Sequence, residues 1–361
     1  MNDPINLANG YPVLSSISAL NREALAPLKT ADLTTPAPFA GIPELRHALA
    51  EKLSAQDVPA EADDLLITNG ATQALQYVFT RLLAPSDEVL LPLPQWSYFL
   101  ELLEETGRTY RSFRPQSEKF TPSELRAQLS ERTRLFVFTN PGNPDGIVYS
   151  EQEVRALGAV LTDFPNCLIL CDEVYEWQNF TGGRLLSLAA LPELRDRCLL
   201  VNGFSKSCGL TSWRVGYIRL RSDLRERLLR HHQFCTYGTA KAAQLVALSA
   251  LQNEDRYRAV WEQEVRPRMR RFCTDLSEIF GVEVVLAMGG YFCLTPAEML
   301  KFSGSAAEVL EQKFGLLVAD GRPFGAPGRH RINLAREPEI LDESLVRLRR
   351  FAKSAQRNFP L

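Results

Sequence analysis

CLILCDEVY, residues 167–175, is an apolar strand that runs directly into two carboxylates, Asp172 and Glu173. Short apolar strands of the same kind recur from about Gly41 to Arg221, at Leu65–Thr68, Glu88–Leu91, Leu135–Thr139, Cys167–Cys171, Cys198–Val201 and Val215–Arg219. The segments between them have the apolar periodicity of helices, near 43–56, 72–84, 96–105, 122–130, 151–163 and 222–232. This alternation predicts an α/β fold with a mainly parallel sheet flanked by helices.

The character of the sequence changes after Gln252. Residues 255–279 place apolar side chains at helical spacing among dense charge, which predicts one long helix. Shorter strands and a last helix should follow, at 282–286, 290–294, 315–318, 330–334 and 339–354. We therefore expect a large domain over residues 41–254, and a smaller α+β domain that includes the long helix over residues 255–361. The N-terminal segment, residues 1–40, should pack on the smaller domain.

Composition argues against several classes of protein. The 361 residues are 45% apolar and 23% charged, with a formal net charge of -2 and no block of like charge. That balance gives no reason to expect a nucleic-acid partner or a membrane-surface patch. No apolar run approaches the roughly 20 residues that would span a bilayer, and the sequence MNDPINLANGYP lacks the features of a signal peptide. We expect a soluble, cytoplasmic protein.

Cysteines and histidines give no pattern typical of a metal site. None of the seven cysteines forms a Cys-x-x-Cys pair. Strand alternation would place Cys167 and Cys171 on one face, where they could be a pair of metal ligands or ordinary buried side chains. No histidine or acidic cluster completes a ligand set around them. We therefore predict buried packing for the two cysteines and no metal.

Two motifs follow predicted strands, at the sheet edge where open α/β sheets bind ligands. In TNGATQA, residues 68–74, the small residues Gly70 and Ala71 would let an anion approach the backbone, and Thr72 could add a hydroxyl. A plain turn with a helix cap would have the same sequence. In PLPQW, residues 92–96, Trp96 could stack on a planar cofactor, or could simply be a buried ring that opens a helix.

Two further strand ends carry polar side chains. NPGNPDG, residues 140–146, contains two Asn-Pro pairs that would fix a tight loop and aim Asn143 as a hydrogen-bond donor. Asp172 ends the strand that precedes Tyr175, and a buried carboxylate is costly unless it is paired. A protonated pyridine nitrogen would be such a partner. The alternative is that Asp172 and Glu173 are solvated loop acids.

Lys206 and Arg214 complete the set of candidates. Lys206 lies near the end of the apolar strand Leu199–Val201, where desolvation and nearby cations could lower its pKa. A neutral amine there can form an imine with a carbonyl group. The planar guanidinium of Arg214 suits a phosphate. Taken singly, either residue could equally be an ordinary surface cation.

In order and spacing these motifs resemble the class I/II aminotransferases, the fold type I pyridoxal-phosphate (PLP) enzymes. The resemblance extends from about Ala8 to Leu348, and it includes an arginine eight residues after the lysine, Lys206 to Arg214. It implies that PLP is held by Lys206 as a Schiff base, and that the substrates are an amino acid and a 2-oxo acid. It also implies a homodimer.

The resemblance further implies a role for each site residue. Lys206 would move the substrate proton, and Asp172 would keep the pyridine nitrogen protonated. Tyr175 and Asn143 would hydrogen-bond the ring oxygen, and Trp96 would stack on the ring. The phosphate would be bound by Gly70, Ala71, Thr72, Ser205 and Arg214. On the substrate side, Arg331 would bind the carboxylate of the amino acid, and Gly10 would line the pocket.

Five positions depart from the family pattern. Pro36 replaces a tyrosine that crosses to the phosphate of the partner subunit, and Gly203 replaces a common hydroxyl residue. Asp145, Ser212 and Asp320 replace a threonine, a glycine and a proline. The two lost phosphate contacts suggest looser cofactor binding or an altered dimer interface. They also leave room for other reactions that this fold supports.

Aminotransfer is therefore the leading hypothesis, with two rivals. The first is another PLP-dependent reaction: elimination, substitution or amino-acid cyclisation in specialised metabolism. The second is a PLP-binding regulator without catalytic activity, although such regulators usually append a DNA-binding domain and the sequence offers no room for one before Gly41. A nicotinamide dehydrogenase is disfavoured because no Gly-x-Gly-x-x-Gly turn follows a strand.

Overall fold

The computed structural model describes residues 3–300 and 305–358, and the side chains up to residue 354. Within these residues the strands form three sheets. The strands are β1 (Ile5–Asn6), β2 (Leu65–Thr68), β3 (Glu88–Pro92), β4 (Thr109–Phe113), β5 (Thr133–Thr139), β6 (Leu168–Asp172), β7 (Cys198–Gly203), β8 (Gly216–Arg219), β9 (Phe292–Leu294), β10 (Leu316–Leu317), β11 (Ala319–Asp320) and β12 (His330–Asn333).

The helices alternate with the strands in the first two thirds of the chain and dominate the last third. They are α1 (Ser15–Ala24), α2 (Pro43–Ala55), α3 (Ala71–Tyr77), α4 (Ser97–Glu105), α5 (Pro122–Gln128), α6 (Glu151–Thr162), α7 (Phe204–Ser207), α8 (Ser222–Thr236), α9 (Lys241–Leu251), α10 (Glu254–Val260), α11 (Arg266–Phe280), α12 (Ala306–Phe314) and α13 (Pro338–Asn358). Across the part of the chain that the structure describes, no helix combines the length and apolarity needed to cross a membrane.

The largest sheet has seven strands in the order β2-β8-β7-β6-β5-β3-β4. The strands from β7 to β4 are parallel, and β8 runs antiparallel to both of its neighbours. The sequence prediction of a mainly parallel sheet flanked by helices is confirmed. In register, Asp172 lies beside Thr139 on one side and Val201 on the other. Three strand ends are therefore level, which brings the loops that follow them together.

Alternate residues of the central strands pack into separate apolar clusters on the two faces of the sheet. Phe136 of β5 and Ile169 of β6 belong to one cluster, whereas Val137 and Leu170 belong to the other. Because the side chains of a strand alternate between its faces, both faces must be covered by helices. Cys171 lies in the first cluster, as does Cys167 just before β6, so the two cysteines are part of the apolar core.

A smaller antiparallel sheet has the order β11-β12-β9. Next to it in the sequence, β10 pairs in parallel with β1, so that Ile5 lies opposite Leu316. The N-terminal residues thus contact strands that lie more than 300 positions later. The division of the chain into domains at residues 41 and 255 stays a prediction.

The predicted long helix extends from Glu254 to Phe280 as α10, a π-helical turn at 261–265, and α11. In the π-helical turn, the ring of Trp261 stacks on Tyr291, with centroids 5.3 Å apart and planes 10° apart. The indole nitrogen of Trp261 donates to the carbonyl oxygen of Ser207, 2.7 Å away. The helix is thereby attached to the chain that immediately follows Lys206.

Some predicted elements were wrong or missing. The predicted strand at 282–286 does not form: Val285 is 64% exposed, and these residues have no strand partner. Of the predicted strand at 315–318, only Leu316–Leu317 forms a strand, β10, and the neighbouring β11 was not predicted. A π-helical turn at 78–82 replaces the end of the predicted helix at 72–84. Sequence patterns did not indicate α1, α9, α12, β1 or β4. Helix α9 is apolar on most of its surface, and edge strand β4 is mostly exposed, so neither has the expected periodicity.

The packing of the central sheet gives a prediction about stability. Val137→Ala removes two methyl groups from a fully buried strand, and should lower the free energy of unfolding by about 2–3 kcal/mol. The matched change Val285→Ala, at an exposed position, should alter it by less than about 0.5 kcal/mol. Urea unfolding followed by circular dichroism measures both changes. Equal losses would contradict the placement of Val137 in the core.

Candidate active site

A cavity of about 700 Å³, open to solvent, lies at the carboxyl edge of the large sheet. It brings together every site residue proposed from the sequence except Gly70, which lies just outside it. The lining residues are Gly10, Ala71, Thr72, Leu75, Trp96, Asn143, Asp172, Val174, Tyr175, Gly203, Ser205, Lys206, Thr211, Arg214 and Arg331. Residues from both ends of the chain therefore share one site.

One end of the cavity is shaped to bind an anion. Gly70 precedes α3 with φ +77°, and a Cβ atom there would lie 2.5 Å from Nη2 of Arg214. Only glycine allows this close approach at such a φ. The guanidinium of Arg214 donates from Nη1 to the carbonyl oxygen of Thr211 at 3.1 Å and to the hydroxyl of Ser205 at 3.5 Å. A fixed guanidinium thus faces the backbone N–H groups at the start of α3.

Asp172 is the buried carboxyl group at the end of β6. Burial raises its pKa to about 7, against the opposing effects of the Val174 backbone N–H and of Lys206. The structure describes no arginine or lysine bonded to this carboxyl group. A cationic ligand group placed beside it would be stabilised by its charge.

Lys206 lies in the short helix α7, directly after β7. Burial lowers its pKa to about 8, the cations Arg331 and Arg214 add to that effect, and Asp172 opposes it. Its amine donates a hydrogen bond to the carbonyl oxygen of Gly10. About a tenth of this amine is therefore uncharged at pH 7, far more than for an ordinary lysine. The uncharged amine is the form that attacks a carbonyl carbon.

Arg331, on β12, faces the cavity from the smaller sheet. Its guanidinium donates from Nη1 to Oδ1 of Asn143 at 3.0 Å and from Nη2 to the carbonyl oxygen of Ala8 at 2.9 Å. The rings of Phe292 and Phe324 lie 4.3 and 4.5 Å from the guanidinium carbon and clamp it by cation–π contacts. The side chain is therefore held in one orientation before any ligand binds.

The amide of Asn143 joins Arg331 to the rest of the site. Its Nδ2 donates to the hydroxyl of Tyr175 at 3.3 Å, while its Oδ1 accepts from Arg331. Gly10 lies on the opposite side of the cavity, where a Cβ atom would be 3.6 Å from Nζ of Lys206 and 3.7 Å from Nη2 of Arg331. A larger residue would occupy the space between the two cations.

The departures from the family pattern have local explanations at two positions, Gly203 and Asp145. A Cβ atom at Gly203 would lie 3.1 Å from the carbonyl oxygen of Val215 and 3.2 Å from Cα of Gly216, so the pairing of β7 with β8 leaves little room for a hydroxyl side chain. Asp145 accepts a hydrogen bond from the backbone of Ile147 at 3.2 Å. That bond closes the turn as a threonine hydroxyl would, and burial raises the pKa of Asp145 to about 6.

The other three departures are not among the residues that line the cavity. Pro36 and Ser212 are exposed. Asp320 forms an ion pair with Arg322 at 2.9 Å. Within the described residues, none of the three substituted side chains lines the site.

Several residues around the cavity carried no signal in the sequence. Leu75, Val174 and Thr211 line it because each lies one to five residues from a motif residue. Phe292 and Phe324 act through Arg331, and their positions depend on the packing of the smaller sheet. Apolar and hydroxyl residues of these types are common in any core, so only the folded structure distinguishes them.

The cavity thus combines a buried lysine, a buried carboxyl group and a held guanidinium at the edge of a parallel sheet. Comparison with known proteins identifies the class. The chain belongs to the family of class I and II aminotransferases, whose family profile matches residues 2–348. It is accordingly a PLP-dependent aminotransferase, a class whose substrates are an amino acid and a 2-oxo acid.

Individual relatives agree with this assignment. The chain is 30% identical over 359 residues to a probable aspartate/prephenate aminotransferase of Aquifex aeolicus, covering 96% of this chain and 91% of the relative. It is 28% identical over 327 residues to an aspartate aminotransferase of Bacillus subtilis, covering 88% and 83%. The structure of the aspartate aminotransferase from Thermus thermophilus with maleate superposes with a TM-score of 0.85 at 29% identity, covering 96% and 91%.

The close approach of β8 to the anion site can be tested with Gly216→Ala. A Cβ atom there would lie 2.4 Å from the backbone nitrogen of Ala71 and 2.5 Å from the carbonyl carbon of Gly70, so the turn must shift. We expect the dissociation constant of PLP to rise at least about tenfold, equivalent to roughly 1.4 kcal/mol. The control is Gly183→Ala, where the nearest atom is 3.6 Å away. Unchanged PLP affinity in a stable Gly216→Ala protein would contradict this geometry.

The lowered pKa of Lys206 predicts how the apoprotein captures PLP. The rate should rise with the uncharged fraction of the amine and level off above pH 8, because the pKa is about 8. An ordinary lysine would keep gaining reactivity up to about pH 10.4. Stopped-flow absorbance after mixing apoprotein with PLP measures this rate, with Lys206→Ala as the blank. A rate that still rises steeply above pH 9 would show that the pKa of the Lys206 amine is not lowered.

Proposed function

We propose that Lys206 binds the carbonyl carbon of PLP, and that Asp172, Arg214 and Arg331 surround it as partners of the ring nitrogen, the phosphate and the substrate carboxylate. The observation that carries this assignment is that one cavity brings together these four side chains, with Asp172 and Arg331 both buried. Burial also lowers the pKa of Lys206 to about 8 and raises that of Asp172 to about 7, and shifts of this kind cluster at functional sites. When bound, PLP withdraws electrons from the Cα atom of the substrate.

The fit of the residues to PLP rests on the shape and charge of the cavity. Gly70 lies beside Arg214 and has no side chain. It therefore leaves open the space that a Cβ atom would fill. Asp172, which lacks a bonded cation among the described residues, suits a protonated ring nitrogen. Arg214 and Asp172 both line this one cavity, so a single ligand can contact both side chains.

At the phosphate end, we assign binding to Gly70, Ala71, Thr72, Ser205 and Arg214. The backbone N–H groups at 71 and 72 and the Arg214 guanidinium provide charge-assisted hydrogen bonds. Trp96 lines the cavity and is itself stacked on Tyr98, with ring centroids 4.9 Å apart. Its indole is therefore held rigid and can stack on a planar ring.

On the substrate side, Arg331 would bind the carboxylate of the amino acid. Its clamped guanidinium keeps donors available beside Asn143, and Gly10 leaves the space that the substrate needs. Tyr175 and Asn143 would hydrogen-bond the ring oxygen of PLP. Lys206, once its amine is free, would carry the proton from Cα, since its uncharged form is accessible at working pH.

The reaction that we assign is transfer of an amino group between an amino acid and a 2-oxo acid in two half-reactions. The names of relatives make aspartate and prephenate the first compounds to test. Elimination, substitution and cyclisation are not favoured, because the relatives found are aminotransferases. We also propose a cytoplasmic homodimer, as the family resemblance implies.

A panel of amino acids tests the proposal. Incubation of the holoenzyme with a substrate should replace the absorbance of bound PLP by that of pyridoxamine phosphate and release one 2-oxo acid per site. Lys206→Ala should show neither the bound-PLP absorbance band nor turnover. Consumption of amino acids without any pyridoxamine phosphate would reject aminotransfer, and an unchanged band in Lys206→Ala would reject the assignment of Lys206.

A further inference from the structure

Tyr291 is a buried phenol beside the cavity that none of the assigned roles explains. Its hydroxyl donates to the carbonyl oxygen of Gly10 at 3.0 Å. On its other side the ring stacks on Trp261, which is hydrogen-bonded to the residue after Lys206. The hydroxyl is thus held in position from both the smaller sheet and the long helix.

The Gly10 carbonyl receives two donors. It accepts the amine of Lys206 and the hydroxyl of Tyr291. A carbonyl oxygen has two lone pairs, so the two bonds can coexist. When the amine is free, Tyr291 therefore fixes the oxygen atom to which that amine is bound.

Tyr291 also reaches Tyr175. The two rings meet edge to face, with centroids 5.6 Å apart and planes at 73°. Burial raises the pKa of Tyr175. The ring of Tyr291 thus packs against the phenol proposed to bind the cofactor oxygen, while the hydroxyl hydrogen of Tyr291 is donated to the Gly10 carbonyl.

We propose that Tyr291 is a positioning residue, whose hydroxyl fixes the Gly10 carbonyl under the free amine of Lys206. This inference rests on the proposed role of Lys206. A fixed acceptor for the amine keeps Lys206 aligned for proton transfer.

Tyr291→Phe removes only the hydroxyl and keeps the ring that stacks on Trp261. One hydrogen bond is worth about 0.5–1.5 kcal/mol, so the first-order rate of the half-reaction should fall about three- to tenfold. The concentration of amino acid that gives half the maximal rate should change less than about twofold, because Arg331 is untouched. Without the Tyr291 hydroxyl, the Gly10 carbonyl oxygen keeps more of its partial negative charge for the Lys206 nitrogen. This charge favours the protonated form of that nitrogen and should raise the pH midpoint of the visible absorbance change of the holoenzyme.

The matched control is Tyr257→Phe. Tyr257 is another buried phenol with one hydrogen bond, to Oδ1 of Asn21 at 2.9 Å, and it does not line the cavity. Tyr257→Phe should lower the melting temperature by the amount that loss of a buried hydroxyl costs. It should leave the half-reaction rate and the pH midpoint of the absorbance change at wild-type values. If Tyr291→Phe lowers the melting temperature but leaves both the half-reaction rate and the midpoint at wild-type values, the inference is wrong.

The two proposals fail in different ways. If wild-type protein forms no pyridoxamine phosphate with any amino acid, the proposed function fails. In that case the role of Tyr291 can still be tested by comparing the pH midpoint of the absorbance change in Tyr291→Phe with that in Tyr257→Phe. This measurement needs bound PLP but no substrate. A rise in the midpoint for Tyr291→Phe alone supports the inference, and equal midpoints overturn it.

Discussion

The desolvation shared by Asp172 and Lys206 is the constraint on which the site depends. The level ends of β5, β6 and β7 place the acid at the edge of the sheet, while its side chain is still inside the protein. Burial pushes both groups toward their neutral forms, the acid upward and the amine downward in pKa. Under the proposed assignment, a cofactor that supplies a cationic ring nitrogen to one group and a carbonyl carbon to the other would relieve both effects. The electrostatics of the cavity therefore suit such a ligand.

The smaller sheet also positions the N-terminal residues next to the cavity. Asn333 donates to the carbonyl oxygens of Asn9 and Tyr11 at 2.9 Å, and Arg336 donates to Tyr11 at 2.8 Å. These bonds hold Gly10 over the cavity between Lys206 and Arg331. The rigid clamp on Arg331 lowers the ordering cost of substrate binding, because the guanidinium needs no rearrangement. Substrate geometry thus depends on contacts that lie outside the large sheet.

Much of the fold and site could be predicted because the decisive residues follow strands in a fixed order. An apolar strand that ends in Asp172, or one that leads to Lys206, has a clear pattern, and parallel strands place their ends together. The failures have physical causes. Residues 282–286 have strand-like composition but no partner strand, and α9 is too apolar for its periodicity to be visible. Tyr291 was missed because its importance lies in one hydroxyl at 3.0 Å from Gly10, which only tertiary packing creates.

The pairing of β1 with β10 has a consequence for how the protein is made. The residues that cover the cavity are translated before the strands that hold them, which are encoded more than 300 codons later. During synthesis the large sheet can form while its own N-terminal cover remains unattached. Domains generally fold as units while the chain grows, and contacts this distant in sequence form slowly. A nascent chain therefore carries an open, unfinished active site until β10 has been translated.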